Sequence, residues 1–353
     1  MKEQYFKQLK KLLYIFCIFC LFSCTAPFND FSTMSSPEII KQVTSNNKKA
    51  IITVGIVDNG KMSFSVYGEN GKLLPNKEYI YEIASITKVF TAQLFAKAIS
   101  EGKVGLNDTI DRFLKLPSKN YYPSIRRLLT HTSGYKFSYY HGSGSLTEAA
   151  PNFELFGAGV NEKMLLNTIG SINLEDKDYP FQYSNFNFAV AGLVLEKIYD
   201  ETYTSLINKY LINDLGMQKT KVNDGSVNVS NFWAWSNGNP YIPCGALIST
   251  VTDLMKYAQM QIDEQPSYVS NSHVKSAEVN PAVDDVSDKF DSMGLGWMID
   301  SADGFIHHSG NTGYSNSFLG FNKANRTAVV VLVNNPGVES RIIGFKLLKE
   351  LQR

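Results

Sequence analysis

The chain has 353 residues, of which 44% are hydrophobic and 19% charged, with a formal net charge of +1. That is enough apolar sequence for one large or two interleaved domains with a real core, and it excludes an intrinsically disordered chain. There is no basic stripe with interleaved aromatics, so nucleic acid is excluded as the expected partner.

Lys2, Lys7, Lys10 and Lys11 precede the apolar run LLYIFCIFCLF, the pattern of a targeting segment. The run is too short to span a bilayer as a helix. It ends in Leu21-Phe22-Ser23-Cys24, which resembles a bacterial lipobox. The resemblance implies a lipoprotein signal peptide over 1–23, lipid on Cys24, and a place in the bacterial cell envelope on the periplasmic or extracytoplasmic face. Thr25 is not the aspartate that retains some lipoproteins at the inner membrane, so the outer membrane is expected in a Gram-negative cell. Cleavage near Ala26, disfavoured by Pro27, and an uncleaved anchor are the competing readings. Loss of 1–23 removes four lysines and Glu3, taking the net charge from +1 to about −2.

Residues 24–49 are polar and turn-rich with one short possible helix, and read as a tether. With Cys17 and Cys20 in the apolar run and Cys24 lipidated, Cys244 is the one free thiol left, so no disulfide is expected. Among apolar neighbours it reads as a small buried hydrophobe rather than a nucleophile.

The folded domain is expected over 50–353. IITVGIVD and MSFSVYG are strand-like runs joined by Asp58-Asn59-Gly60, a hairpin signal. The stretch EIASITKVF at 82–90 opens a helix that ends at Glu101-Gly102, with Val89, Phe90, Leu94, Phe95 and Ala98 as an apolar stripe. A long middle region, about 107–240, carries helical patterns such as FAVAGLVLEKIYDETYTSLINKYLI. The last third returns to strands in GLGWMID, YSNSFLGFN and TAVVVLVNN, and ESRIIGFKLLKEL closes the chain as an amphipathic helix.

Strands at both ends with helices between predict an α+β fold. One antiparallel sheet, built from both chain ends and flanked by helices in an α/β/α sandwich, would carry an inserted, mostly helical subdomain. A cleft between the two parts is the expected place for a site.

Ser85 and Lys88 lie three apart, on one face of that helix, where a neutral amine could take the serine proton. The helix N-terminus favours negative charge developing there. Four other Ser-x-x-Lys pairs occur, at Ser45, Ser100, Ser133 and Ser272, and none opens such a helix. From this segment alone, an N-cap serine followed by a solvated lysine is an equally good reading.

Two further stretches change that balance: FQYSNFNFAVAGLVLEKI at 181–198 and IHHSGNTGYSNSFLGF at 306–321. With EIASITKVF they resemble the penicillin-recognising serine hydrolases, which include class C β-lactamases, DD-peptidases, D-aminopeptidases and related esterases. The matching motifs are Ser85 with Lys88, Tyr183 with Asn185, and His308 with Gly310; RRLLTHTSGY at 126–135 is similar to the family's loop between the first two. Tyr314-Ser315-Asn316 repeats the second motif, but lies too close to His308 to approach from another element, and reads as core.

The resemblance implies a β-lactamase/transpeptidase-like fold and an acyl-enzyme mechanism. Ser85 would attack a carbonyl while Lys88 and Tyr183 act as general base and then general acid. Asn185 would bond Lys88 and the substrate amide. The oxyanion would sit between the backbone N–H groups of Ser85 and Asn311, and Gly310 would allow a close backbone approach. His308 departs from the lysine of class C β-lactamases and weakens that reading, since histidine is mostly neutral at pH 7.

No cofactor is expected. His307 and His308 do not read as a metal pair, because adjacent strand residues point to opposite faces; His131 reads as a loop-structuring residue. Tyr121-Tyr122, Tyr139-Tyr140 and Phe232-Trp233-Ala234-Trp235 would line an apolar acyl pocket or pack as core. The expected function is a lipid-anchored hydrolase of cell-wall peptide or D-amino-acid amide substrates, with peptidoglycan and the membrane as partners. An esterase, a β-lactamase and a non-catalytic binding module are the alternatives.

Overall fold

The turn at Asp58-Asn59-Gly60 forms the predicted hairpin, with Asn59 at φ 49° and Gly60 at φ 82°, the left-handed pair that a two-residue turn between twisted strands requires. It joins β1 (Ile52–Asp58) to β2 (Lys61–Gly68), with Asp58 opposite Lys61. This computed structural model describes residues 31, 33–138, 159–223, 232–233, 235–279 and 289–352. The predicted signal peptide, Cys24 and Tyr139-Tyr140 lie outside the described residues.

The chain divides into two compact units, Met1–Ser35 and Ser36–Arg353. Of the first, Phe31 and Thr33 to Ser35 are described, forming a turn closed by a bond from Met34 N–H to Phe31 O (3.2 Å). The second begins earlier than the expected residue 50. Helix α1 (Ser36–Asn46), read from sequence as part of a tether, buries Ile39, Ile40 and Val43 and packs on the last helix of the chain. Its apolar residues at i, i+1 and i+4 form a face that needs a partner.

After β3 (Lys72–Leu74) and β4 (Tyr81–Glu82) come α2 (Thr87–Ser100), α3 (Ile125–Leu129), α4 (Glu162–Ser171), α5 (Asn185–Tyr199) and α6 (Tyr203–Lys209). Then follow β5 (Lys221–Val222), α7 (Ile242–Gly245), β6 (Leu247–Ser249), α8 (Val251–Asp263), β7 (Ala277–Glu278), β8 (Ser292–Met293) and β9 (Met298–Asp300). The chain closes with β10 (Phe305–Asn311), β11 (Asn316–Asn322), β12 (Thr327–Val333) and α9 (Glu339–Glu350).

A nine-stranded sheet runs in the order β3-β2-β1-β12-β11-β10-β9-β8-β7. The two chain ends meet at β1 and β12, antiparallel, with Ile52 opposite Val333, as the sequence predicts. A second sheet, β4-β6-β5, was not foreseen; strands of two or three residues leave no period to read.

Register assigns the faces. Gly55, Val330, Leu319 and His308 share one row, and Ile56, Val329, Gly320 and His307 the next. A side chain at Gly55 would meet Val251 and Met255 of α8, whereas one at Gly320 would meet Leu348 of α9. Helices α8 and α9 therefore cover opposite faces, giving the α/β/α sandwich, and His308 looks to the α8 side. Helix α2 is not amphipathic as expected: Thr87 to Ala96 and Ala98 are all buried, so it is the central helix of the core rather than a flanking one.

Candidate active site

Between β4 and α2 the chain makes a tight turn, Ala84–Ile86, with Ala84 at φ 47°. A non-glycine residue in this region is strained and persists where its surroundings hold it. Here Ile83 N–H bonds Leu247 O (3.0 Å), Ser317 Oγ bonds Ile83 O (2.9 Å) and Ser315 Oγ bonds Glu82 O (2.9 Å). The close approach expected at Gly310 is to this turn: a Cβ there would lie 2.3 Å from Ile83 O and 2.9 Å from Ala84 Cβ. Ser85 caps neither the turn nor α2, which removes the N-cap reading.

Lys88, in the first turn of α2, is 0% exposed, which removes the solvated-lysine reading as well. Its Nζ lies 3.0 Å from Ser85 Oγ and donates to the Cys244 carbonyl (2.7 Å). It also sits 4.9 Å from the Tyr183 ring centre. The expected bond from Asn185 to Lys88 is replaced by the Cys244 carbonyl. Asn185 instead donates its backbone N–H to Phe137 O (2.9 Å), with its side chain at the cavity wall. A backbone acceptor carries no residue-type signal, so sequence reasoning could not find it. The Cys244 thiol is buried and pushed up to about 11 by that burial, which fits the structural reading of this cysteine.

Tyr183 precedes α5, whose N-cap Ser184 accepts from Asn187 N–H (3.1 Å) and donates to Lys136 O (2.7 Å). Asn187 ties this end of α5 to the 126–135 loop, donating to Leu128 O (3.1 Å) and accepting from Ser133 (2.6 Å). His131 stacks on the Tyr183 ring at 4.5 Å and accepts from Ser184 N–H at Nδ1 (3.0 Å). Its loop-structuring role thus extends to the seat of Tyr183. Burial, with the Lys88 charge acting the same way, holds His131 well below the usual histidine range.

His308 is 1% exposed. Its Nδ1 bonds the Ser309 carbonyl (2.7 Å), which can only accept, so Nδ1 carries the hydrogen and Nε2 presents its lone pair. Burial and then Lys88 push it down to about 3, so it is neutral at every physiological pH. His307 faces the other side of the sheet against Phe345 at 4.7 Å. Asn311 Oδ1 accepts from Gly337 N–H (3.3 Å), and Tyr314 packs against the main core rather than the site.

Ser85, Tyr183, Asn185, His308, Gly310 and Asn311 line one cavity of about 540 Å³. Lys88 lies beneath it, held by Ser85 and Cys244. Its apolar walls include Phe137, Phe181, Trp233, Trp235, Phe290 and Met298. Among the described residues no His, Cys, Asp and Glu cluster fit for a metal occurs, and no helix is long and apolar enough to cross a membrane.

The chain is 24% identical over 306 residues to protein flp of Staphylococcus aureus, covering 79% of this chain and 58% of that one. The chain thus spans little over half the length of that relative. It is 23% identical over 312 residues to the D-alanyl-D-alanine-carboxypeptidase/endopeptidase AmpH of Escherichia coli, covering 80% and 78%. The solved structure of a beta-lactamase/D-alanine carboxypeptidase from Yersinia pestis superposes with a TM-score of 0.71 at 19% identity, over 90% of this chain and 99% of that one. The beta-lactamase family model matches residues 39–352, nearly the whole of the second unit, and the chain belongs to that family of serine hydrolases.

Proposed function

We propose that the chain is a serine hydrolase that forms an acyl-enzyme on Ser85 and acts on cell-wall peptide or D-amino-acid amide substrates. The observation that carries this reading is the 3.0 Å contact between a fully buried Lys88 Nζ and Ser85 Oγ, at the edge of the cavity. In the form that reacts, Lys88 carries an unprotonated amine: Ser85 Oγ bonds the substrate carbonyl carbon, the carbonyl electron pair moves onto oxygen, and the serine proton passes to that amine. The oxyanion is met by the N–H groups of Ser85 and Asn311, donors whose removal costs on the order of 10²- to 10³-fold in other enzymes. Lys88 and Tyr183 then return a proton to the leaving amine or alkoxide, and water hydrolyses the acyl-enzyme by the reverse route.

The likeness to AmpH, a D-alanyl-D-alanine-carboxypeptidase/endopeptidase, supports a cell-wall peptide as substrate. The neutral His308 and the aromatic walls favour a second reading, an esterase for an apolar acyl group. Lipid on Cys24 would hold either enzyme at the envelope, most simply at the outer membrane of a Gram-negative cell. Fatty-acid labelling of the full chain beside Cys24→Ser tests that anchor, and equal labelling of both would overturn it.

Intact mass after incubation with a fluorophosphonate, and separately with a penicillin, tests the mechanism beside Ser85→Ala. One stoichiometric adduct, lost in the variant, is expected. Penicillin labelling favours the cell-wall substrate, and faster turnover of p-nitrophenyl esters than of D-Ala-D-Ala peptides favours the esterase. No adduct on folded protein would overturn catalysis and leave a non-catalytic binding module.

A further inference from the structure

Three residues before Ser85 lies a buried carboxylate that the mechanism does not use. Glu82, 2% exposed, ends β4. Its Oε2 accepts from Thr312 Oγ1 (2.7 Å) and its Oε1 from Trp233 N–H (2.6 Å). Thr312 is the residue after Asn311, and Trp233 and Thr312 both line the cavity. One side chain therefore joins the nucleophile's strand, the turn beside the oxyanion donor and an aromatic wall.

We propose that Glu82 is a positioning residue of this site: its ionised carboxylate ties the turn after Asn311 and the Trp233 wall to the strand that leads into the Ser85 turn, so acylation requires the charged form. The inference rests on the acyl-enzyme reading above.

The bond directions support the charged form. Thr312 Oγ1 already accepts from Tyr314 N–H (3.1 Å) and Ser315 N–H (3.0 Å), so its lone pairs are engaged, and its one hydrogen goes to Glu82 at 2.7 Å, the nearer acceptor, rather than to Ser315 Oγ at 3.2 Å. Trp233 N–H can only donate. A hydrogen added to either carboxyl oxygen removes the charge that both donors meet, and the two ties weaken from charge-assisted to neutral bonds. Burial opposes ionisation and pushes Glu82 up to about 7, against the two bonds that favour it. The ties therefore strengthen as pH rises through about 7.

Tyr81 of β4 is engaged with Thr53 (2.7 Å), and Ile248 of β6, opposite Glu82, carries no charge. Lys221 of β5 lies in the same row beyond Ile248. Thr312 and Ser315 from the turn and Trp233 from its loop are neutral, and the cavity histidine, His308, stays neutral to about 3. Stability and activity should then run in opposite directions. The native state retains a proton on Glu82 that the unfolded chain loses above its usual 4.5, so this group's contribution to stability falls from about 4.5 to 7 while activity rises.

The test compares full-length wild type, Glu82→Gln and Thr312→Val by the rate of fluorophosphonate labelling and by kcat and KM on a small p-nitrophenyl ester, between about pH 5.5 and 8.5. Glutamine puts an amide donor against one of the two donors and so mimics the protonated state. For wild type, labelling should rise about 10-fold through pH 7, less than loss of an oxyanion donor costs. Glu82→Gln should stay at the acid plateau at every pH, with kcat lowered and KM nearly unchanged. Thr312→Val, which removes one bond to the ionised form, should move the limb to higher pH. Wild-type labelling rates in Glu82→Gln at pH 8, or an unmoved limb in both variants, would overturn the inference. Absence of any wild-type adduct would instead overturn the acyl-enzyme reading and the role of Glu82 with it.

Discussion

Replacing Gly310 with alanine places a methyl group 2.3 Å from Ile83 O, 2.7 Å from Ser317 Oγ and 2.9 Å from Ala84 Cβ. Carbon and oxygen need over 3 Å, so either β10 or the Ile83–Ala84 turn must shift by about 1 Å, and overpacking of this kind costs about 1–3 kcal/mol. In a domain of this size that lowers the melting temperature by about 2–6 °C. The larger effect falls on chemistry, because the displaced segments carry Ser85 and Asn311, and a misplacement near 1 Å costs about 100-fold in rate. Fluorophosphonate labelling rate, read beside a thermal melt, checks both numbers. A Gly310→Ala protein that melts lower yet labels at the wild-type rate would refute the argument that this contact sets the site's geometry. An unchanged melt would refute the contact itself.

Tyr183→Phe keeps the ring between His131 and Lys88, so the fold should hold while acylation slows by about 10²- to 10⁴-fold; a rate within a few-fold of wild type would remove Tyr183 from the proton path. His308→Lys should raise nitrocefin turnover relative to p-nitrophenyl ester turnover by about 10-fold, the worth of one hydrogen bond to a charged group; an unchanged ratio would show that position 308 does not read a carboxylate. In acid, His273 and His307, held at about 4 by burial, and His308, at about 3, stay neutral while the unfolded chain's histidines protonate below about 6.5. The unfolded state then binds more protons, so stability falls with pH, by up to about 2 kcal/mol per histidine at pH 5. Glu82 opposes this but is outnumbered, so a melting temperature that rises from pH 6.5 to 5 would contradict the neutral assignments.

The hairpin and the long strands were legible because turn residues and apolar runs mark them without tertiary help. Helix α1 was read as tether because three buried residues in a polar stretch become a face only when α9 is there to cover them. Burial of α2 on all sides was hidden by Thr87, Lys88, Thr91 and Gln93, polar residues satisfied inside the core. At the site, residue types in motif order brought Ser85, Tyr183 and His308 into view, and the structure gathers them around one cavity. The Cys244 carbonyl had no signature at all. Glu82 carries no mark in the sequence beyond being the first residue of the stretch that opens the Ser85 helix, and only its bonds to Thr312 and Trp233, far away in sequence, distinguish it.

Those long-range bonds explain why the placement of Ser85 cannot be a local property of residues 82–90. The left-handed Ala84 costs about 1–2 kcal/mol in a chain free to relax. The groups that hold it are the Leu247 carbonyl on β6 and the hydroxyls of Ser315 and Ser317 at the start of β11, with Gly310 of β10 fitting beneath. Strand β11 is in turn fixed by β12, and β12 by β1. Closure of the sheet by the two chain ends is therefore a condition for the strained turn, and the turn is a condition for holding Ser85 Oγ 3.0 Å from Lys88 Nζ. The motif in the sequence names Ser85 and Lys88, while the pairing of β1 with β12 is what allows them to meet at the cavity.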